Sequence, residues 1–167
     1  DSIFVVKKLN ASNDQDIVKL AAAIKKSAKK YKLFDINKVE NCTDKTLFIA
    51  IGGDGTMIYA AQMSSRANAS VIGFNTGKRG FLTDYRIADI DETLEKAMSN
   101  KLRIETRNMI LGLTTRGEEF TALNDIVISN LYSDYIINYE ILVDGYSAGK
   151  HASNSLILST PTGSTAY

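Results

Sequence analysis

The sequence predicts an α/β domain over residues 1–100, followed by a β-rich domain over residues 101–167. In the first part, short apolar runs alternate with segments whose apolar residues recur every three or four positions. This alternation is typical of strands and helices in a parallel sheet. In the second part, strand-like runs are separated only by turn residues, which favours strands and hairpins. The change of pattern places the predicted domain boundary near residue 100.

Three short apolar runs in the first part are predicted strands. They are IFVV at 3–6, TLFIAI at 46–51 and SVIGF at 70–74. The second run has no polar alternation, so we expect its strand to be buried on both faces of the sheet.

Three helices are predicted around these strands. Residues 13–31 carry apolar side chains at the spacing of one helix face, and residues 57–65 follow a glycine-rich loop. Residues 88–100 form a second clear amphipathic segment, in which Asp89 and Glu92 have the spacing of a capping box.

The second part contains two hairpin signals and a last strand. RGE at 116–118 separates two strand-like segments, the second of which runs without a break over residues 119–131. Asp144-Gly145 is the strongest short hairpin-turn dipeptide. SLILSTP at 155–161 is the last predicted strand.

Composition excludes several classes of protein. The chain has 167 residues, of which 44% are hydrophobic and 23% charged, as in ordinary globular domains. The net charge of +1 provides no global field toward nucleic acid or an anionic membrane, so neither partner is expected. The single cysteine, Cys42, precludes an intrachain disulfide and suits a reducing compartment, so we expect a cytoplasmic protein. No apolar run approaches the roughly 20 residues that span a bilayer.

GGDGT at 52–56 is the candidate functional loop, because it lies between a predicted buried strand and a predicted helix. Ligands of open parallel sheets bind at the carboxyl ends of the strands. Glycine allows positive φ and close approach to a ligand, and amides at a helix start attract phosphate. The P-loop and dinucleotide fingerprints do not fit, because no lysine precedes Thr56 and Ile58 replaces the third glycine. Thr56 could cap the helix or bind a phosphate oxygen.

Asp54 separates two interpretations of this loop. One is a tight turn with a capping acid, since paired glycines are common in turns. In the other, the loop handles phosphates, and an acid beside them is costly unless it holds Mg²⁺ or takes a proton from an attacking hydroxyl. Either role belongs to phosphoryl transfer.

Four segments, in this order, resemble the NAD kinase family. They are GGDGT at 52–56, GFNTGKRGFLTD at 73–84, LND at 123–125 and STPTGSTAY at 159–167. GGDGT is shared with diacylglycerol and sphingosine kinases, whereas STPTGSTAY is highly specific. The resemblance runs from about residue 46 to the end. It implies a Rossmann-like, phosphofructokinase-like α/β domain with a parallel sheet, then a β-rich domain, with NAD bound between them.

The resemblance also implies an activity. NAD kinases transfer a phosphoryl group from ATP, or from inorganic polyphosphate, to the 2′-hydroxyl of the adenosine ribose of NAD. Mg²⁺ or another divalent cation would accompany the donor, with no metal site of the protein's own, and family members are commonly homo-oligomers. By its match to the motif, Asp54 would be the general base. Gly52, Gly53 and Gly55 would shape the approach of the phosphates.

Further positions match nucleotide-binding positions of the family. Phe81 stands where an aromatic packs near the adenine, although plain core packing is an alternative. Asn124 matches the first member of a pair that holds ribose hydroxyls, and Asp125 replaces the usual glutamate. A simple turn is the alternative, which the surrounding strand pattern disfavours. The last motif contributes Thr162, Thr165, Ala166 and Tyr167, unless the segment is only an irregular loop.

The sequence departs from the family pattern at 152–155. ASNS stands where many members have Arg-Gly-Asp-Gly, so Asn154 replaces an aspartate that contacts the nicotinamide side of the ligand. Members also continue beyond the last motif, so the β-rich domain is expected to be incomplete at its C-terminus. Two alternatives stay open. One is a non-catalytic NAD(H)- or NADP(H)-binding protein on a kinase scaffold, and the other is a lipid kinase of the diacylglycerol type.

Overall fold

A computed structural model describes residues 2–7, 14–27, 33–34, 42–77, 80–132 and 135–166 of the chain. The chain divides into two units, Asp1–Thr106 and Arg107–Tyr167. The two ends of the predicted helix over 13–31 and the candidate site residue Tyr167 lie outside the described residues. Of the helices in these ranges, none is long and apolar enough to cross a membrane.

The first unit contains a parallel sheet with helices. Its elements are β1 (Ser2–Lys7), α1 (Asp14–Ser27), β2 (Leu33–Phe34), β3 (Thr46–Ile51), α2 (Asp54–Ser65), β4 (Ser70–Asn75), β5 (Tyr85–Arg86), a 3-10 turn (Ile87–Asp89) and α3 (Ile90–Met98). The described strands pair in the order β2-β1-β3-β4-β5, and every pair is parallel. The predicted α/β architecture of the N-terminal part is therefore confirmed.

Strand β3 lies inside this sheet, with β1 and β4 as its neighbours. Because side chains alternate along a strand, Ile49 and Ile51 point to one face and join a core that includes Leu20 of α1 and Leu94 of α3. Phe48 and Ala50 point to the other face and pack in a second core with Ala60 of α2. The prediction that this strand is buried on both faces is confirmed, and this burial gives the loop after Ile51 a rigid base.

The predicted capping box at the start of α3 is wrong. Asp89 does occupy the N-cap position, but its side chain makes no capping hydrogen bond. Its two carboxylate oxygens instead accept from Arg86, from Nε at 3.0 Å and from Nη2 at 3.3 Å. Glu92 pairs with Lys96 one turn further on. The two-pronged, charge-assisted bond to arginine replaces the bond to a neutral backbone amide.

The second unit consists mainly of antiparallel strands. They are β6 (Ile110–Leu113), β7 (Glu119–Ala122), β8 (Asp125–Ser129), β9 (Ile137–Val143), β10 (Tyr146–Ser153) and β11 (Ser155–Ser159), followed by a 3-10 turn (Gly163–Thr165). Within the described ranges the antiparallel pairs are β6 with β7, β8 with β11 and β9 with β10. The β-rich character predicted for the C-terminal part is confirmed.

Both predicted hairpins form. Between β9 and β10, Asp144 and Gly145 have φ values of 51° and 85°, as a two-residue type I′ turn requires. Gly117, in the turn between β6 and β7, has a φ of 82°.

The unbroken strand predicted over residues 119–131 is wrong. β7 ends at Ala122 and β8 begins at Asp125, with a bend at Leu123 and Asn124 between them. At the bend, the carbonyl oxygens of Leu123 and Asn124 accept hydrogen bonds from Thr160, which lies far along the chain. The pattern of apolar residues around the bend gives no information about Thr160, because Thr160 lies so far along the chain.

Candidate functional site

The glycine loop connects the end of β3 directly to the start of α2. The amide of Gly52 donates to the carbonyl of Phe74 in β4 at 3.0 Å, and Gly52 has a φ of 156°. A Cβ at Gly52 would collide with the side chain of Thr56, so only glycine fits there. At Gly53 and Gly55 an added Cβ would meet no described atom within 4 Å. These two glycines therefore leave open space beside the helix start.

Thr56 does not cap the helix. Gly53 occupies the N-cap position of α2, and Thr56 lies in its first turn with only 9% of its surface exposed. Its amide donates to the carbonyl of Gly53 at 3.0 Å. The capping interpretation of Thr56 is wrong because the helix begins two residues earlier, at Asp54.

Asp54 is the first helical residue, and its carboxylate binds a segment 27 to 29 residues further along the chain. Oδ2 accepts from the amide of Phe81 at 2.7 Å, and Oδ1 accepts from the amide of Leu82 at 2.9 Å. The hydroxyl of Thr83 donates to Oδ1 at 3.3 Å. The interpretation of the loop as a tight turn with a capping acid is wrong, because the carboxylate caps no helix. It fastens the loop of residues 80–83 to the glycine loop.

These contacts decide the charge of Asp54. Partial burial by itself would raise the pKa of Asp54, but the amides of Leu82 and Phe81 and the Thr83 hydroxyl together hold the pKa below its usual 3.8. Hydrogen bonds to the charged form of an acid favour that form. Asp54 is therefore ionised at neutral pH and can accept a proton there.

Phe81 presents its ring to solvent while its backbone is held by Asp54. The residue is 67% exposed, so the alternative of plain core packing is wrong. An exposed ring next to an ordered backbone can stack on a planar ligand. Phe81 is thus the predicted site residue outside the glycine loop that the first unit brings to Asp54.

In the second unit, Asn124 lies at the bend between β7 and β8 and contacts the last motif. Its carbonyl accepts from the amide of Thr160 at 2.8 Å and from the hydroxyl of Ser159 at 3.3 Å. A Cβ at Gly163 would collide with this carbonyl, so the STPTGS segment packs closely on the bend. Asn124 Oδ1 is buried, and no described atom donates to it. Because buried polar atoms are almost always paired, this acceptor makes Asn124 a candidate ligand contact.

The last motif is ordered by its own threonines. The buried hydroxyl of Thr160 donates to the carbonyl of Leu123 at 2.6 Å and accepts from the amide of Gly163 at 3.0 Å. Arg107 Nη1 donates to Thr162 Oγ1 at 3.2 Å. The segment then forms the 3-10 turn, with Thr165 and Ala166 exposed, so it is not an irregular loop. Asp125 is half-buried at the start of β8, opposite Ser159.

Asn154 lies in the single-residue bend between β10 and β11, and it is exposed. The serines on both sides bind each other, since Ser153 Oγ donates to the carbonyl of Ser155 at 2.7 Å. Tyr139 Oη lies 3.2 Å from the same hydroxyl. The departure from the family pattern at 152–155 therefore produces a bend with its own internal bonds.

Sequence reasoning missed five residues that shape these sites. Asn75, Gly80 and Thr83 lie within GFNTGKRGFLTD, from which only Phe81 was selected, and Thr160 lies within STPTGSTAY. For these four residues, the signal that could have found them was their position inside a family motif. Arg107 had no signal in the sequence, because its bond to Thr162 joins positions 55 residues apart.

The described residues offer no ready metal site. Among them, no group of three or more His, Cys, Asp and Glu side chains could hold a metal ion. The Asp54 carboxylate is already surrounded by hydrogen-bond donors.

Comparison with known proteins identifies the family. A model of the ATP-NAD kinase N-terminal domain matches residues 3–102, which is more than half of the chain. The chain belongs to the NAD kinase family. The resemblance drawn from the motifs is thereby confirmed, and the lipid kinase alternative is wrong.

Individual relatives of this NAD kinase family member extend the match. The NAD kinase of Clostridium beijerinckii is 35% identical over 171 residues, covering 95% of this chain and 60% of that protein. The NAD kinase of Lachnospira eligens is 39% identical over 137 residues, covering 80% of this chain and 46% of that protein. The chain therefore spans about 60% or less of the length of these relatives.

A solved structure shows the same fold. The yeast NADH kinase complexed with NADH matches with a TM-score of 0.80 over 99% of this chain and 56% of that chain. At 21% identity this likeness establishes the architecture and not the ligand.

Proposed function

We propose that this chain carries the phosphoryl-transfer and nucleotide-binding residues of an NAD kinase, which phosphorylates the 2′-hydroxyl of the adenosine ribose of NAD to give NADP. The observation that carries the proposal is the ionised carboxylate of Asp54 at the first residue of α2, directly after β3. Membership of the NAD kinase family and relatives named NAD kinase support it. ATP or inorganic polyphosphate is the proposed donor.

Asp54 is the proposed general base. As the 2′-oxygen attacks the terminal phosphorus of the donor, Asp54 takes the hydroxyl proton and the bond from that phosphorus to its bridging oxygen breaks. The products are NADP and ADP, or NADP and a shortened polyphosphate. A base of low pKa suits this reaction, because a loose transition state lets the proton move late. The open space beside Gly53 and Gly55, near the first amides of α2, is where phosphates would approach.

Mg²⁺ or another divalent cation is proposed to arrive with the donor rather than in a protein cage. Support comes from the described residues, which hold no cluster of metal-ligating side chains. Mg²⁺ in kinases is commonly bound by substrate phosphates together with only one or two carboxylates. When bound, the cation neutralises charge on the transferring phosphate.

The remaining site residues are proposed to bind NAD. Phe81 would stack near the adenine, and the unpartnered Oδ1 of Asn124 would accept from a ribose hydroxyl. The other proposed NAD contacts are Asp125, Asn154, Thr162, Thr165, Ala166 and Tyr167.

We assign the catalytic loop to a domain over 1–100 and these later contacts to a domain over 101–167. A homo-oligomer, a cytoplasmic location and the absence of nucleic-acid and membrane partners stay predictions.

The deciding experiment compares NADP formation by wild type and Asp54→Asn with NAD, Mg²⁺ and each donor. The rate should fall about 10²- to 10⁴-fold, the usual effect of removing a positioned acid–base group. The carboxamide of this variant cannot accept from every donor that Asp54 binds, so NAD affinity is measured in parallel by calorimetry. Asp144→Asn is the matched control, because it makes the same exchange at an exposed turn that tolerates asparagine.

Two outcomes would contradict the proposal. Near-normal turnover by Asp54→Asn would remove Asp54 as the base. If wild type binds NAD tightly but forms no NADP with any donor, the non-catalytic alternative is favoured. The presence of Asn154 where many family members have aspartate also suggests that alternative.

A further inference from the structure

A directed chain of hydrogen bonds leads from the end of β4 to Asp54. The amide of Gly77 donates to Asn75 Oδ1 at 2.8 Å. This bond identifies the oxygen end of the Asn75 amide, so the nitrogen end faces Thr83. Asn75 Nδ2 then donates to Thr83 Oγ1 at 3.0 Å.

The Thr83 hydroxyl has only one direction left for its proton. It already accepts from Asn75, and its other neighbour, the Asp54 carboxylate, is ionised and can only accept. Its proton therefore points to Asp54 Oδ1, 3.3 Å away. Thr83 is 1% exposed and Asn75 is 7% exposed, so bulk water does not compete for these bonds.

The two oxygens of Asp54 differ as a result. Oδ1 accepts two described donors, the Leu82 amide and the Thr83 hydroxyl, and Gly80 lies so close that a Cβ there would collide with it. Oδ2 accepts one described donor, the Phe81 amide. A carboxylate oxygen has about two acceptor positions, so among the described residues Oδ1 is filled and Oδ2 keeps one position free.

We infer that Thr83, oriented by Asn75, is a positioning residue that holds the Asp54 carboxylate so that Oδ2 is the oxygen that receives the substrate proton. This inference rests on the proposed role of Asp54 as general base. The proton of the attacking hydroxyl forms its new bond to Oδ2, while Oδ1 stays bound to the loop of residues 80–83. Without the Thr83 hydroxyl, the carboxylate is held by backbone amides alone and its free acceptor position is less well defined.

Two comparisons isolate the hydroxyl: wild type with Thr83→Val, and Thr83→Ser with Thr83→Ala. Thr83→Val keeps the branched shape of the side chain, whose methyl packs at Gly73, and exchanges the hydroxyl for a second methyl. Thr83→Ser and Thr83→Ala differ from each other by the hydroxyl alone, so this pair remains informative if valine is not tolerated. Thermal unfolding of each variant identifies any that do not fold.

The expected result is a split between turnover and binding. For NAD phosphorylation, Thr83→Val and Thr83→Ala should lower kcat about 10- to 100-fold, the range in which a small misplacement of a reacting group costs rate. The KM for NAD should change little, and Thr83→Ser should keep kcat close to that of wild type. Equal kcat for the serine and alanine variants would overturn the inference.

A second readout does not depend on activity. Titration of the Asp54 carboxyl carbon by NMR should show a higher pKa in Thr83→Val than in wild type, because a donor to the charged form has been removed. Thr83→Ser should titrate like wild type. An unchanged pKa in both hydroxyl-free variants would overturn the inference even in protein that forms no NADP. Full activity of Asp54→Asn would instead remove Asp54 as the base and with it the premise of this inference, whereas wild type that forms no NADP from any donor would overturn the proposed function itself.

Discussion

At the scale of single residues, the site depends on close approach between backbone and side chains. Gly52 leaves room for Thr56, and Gly80 leaves room for the Asp54 carboxylate. By contrast, Gly53 and Gly55 face open space and have no positive φ. No contact among the described residues therefore requires glycine at these two positions. The glycines of one motif thus divide into one that a close contact requires and two that leave open space beside the helix start.

Gly80→Ala should damage both stability and activity. The new methyl would collide with Asp54 Oδ1 and would lie 2.6 Å from Thr83 Oγ1, so the carboxylate must move. Overpacking of this kind costs about 1–3 kcal/mol of unfolding free energy, measurable by denaturant titration. Turnover should fall with it, because the proposed base is displaced.

Gly55→Ala is the matched control for that prediction. An alanine there meets no described atom within 4 Å apart from its own helix, and it lies inside α2, where alanine is favoured over glycine by roughly 0.5–1 kcal/mol. Its unfolding free energy should not fall. Equal destabilisation by the two variants would mean that the contact between Gly80 and Asp54 is not tight in solution.

At the scale of elements, the regular segments and the Asp-Gly turn followed local pattern, and two other junctions did not. The turn between β9 and β10 has the dihedral angles that its Asp-Gly sequence favours. The bend between β7 and β8 is held by Thr160, and the start of α3 is set by the bond between Arg86 and Asp89. The bend between β7 and β8 therefore depends on a partner 37 residues away, whereas Asp89 binds a residue only three positions away in place of the expected backbone amide.

Gly145→Ala should destabilise the β9–β10 hairpin. Gly145 has a φ of 85°, and a side chain in left-handed conformation costs about 1–2 kcal/mol. No described atom would obstruct the new methyl, so the loss reports backbone strain alone. Chemical denaturation measures it, and Asp144→Asn, which suits the same turn, should change little. An unchanged midpoint for Gly145→Ala would show that the turn relaxes to another type.

At the scale of the whole molecule, each of the two units holds its own group of candidate residues. The first unit joins Asp54 to the backbone of Phe81, and the second joins the Asn124 bend to the last motif through Thr160 and Gly163. The units divide at Thr106 and Arg107, and the domain boundary near residue 100 stays a prediction. We expect catalytic defects from changes at Asp54 in the first unit, and NAD-binding defects from changes at Phe81 in the first unit and at the Asn124 bend in the second.

Asn124→Ala should weaken NAD binding. Its buried Oδ1 has no donor among the described residues, and a ribose hydroxyl would supply one. Losing that bond should cost about 1–3 kcal/mol of binding free energy, which calorimetry measures. Asn138→Ala, which removes an exposed amide from β9, is the control and should bind NAD normally. Unchanged affinity in a folded Asn124→Ala protein would assign Asn124 a purely structural role.

The sequence by itself determined the longer strands and helices of the first unit, the Asp144-Gly145 hairpin and the location of the candidate loop. Burial of β3 on both faces, the helices and the Asp144-Gly145 turn all follow from periodicity and backbone preference, which act over a few residues. A glycine loop between a buried strand and a helix likewise pointed to Asp54.

Only the tertiary structure decided what Asp54 contacts. Its partners lie 27 to 29 residues away, Arg107 and Thr162 are 55 apart, and Thr160 reaches back 37 residues to Leu123. A side-chain carboxylate or hydroxyl can bind any donor or acceptor that folding brings within about 3 Å. The pattern along the chain shows that a polar residue such as Asp54 is out of place. The packing of the sheet then selects the partners of that residue. These partners fix the pKa and the orientation of the proposed base.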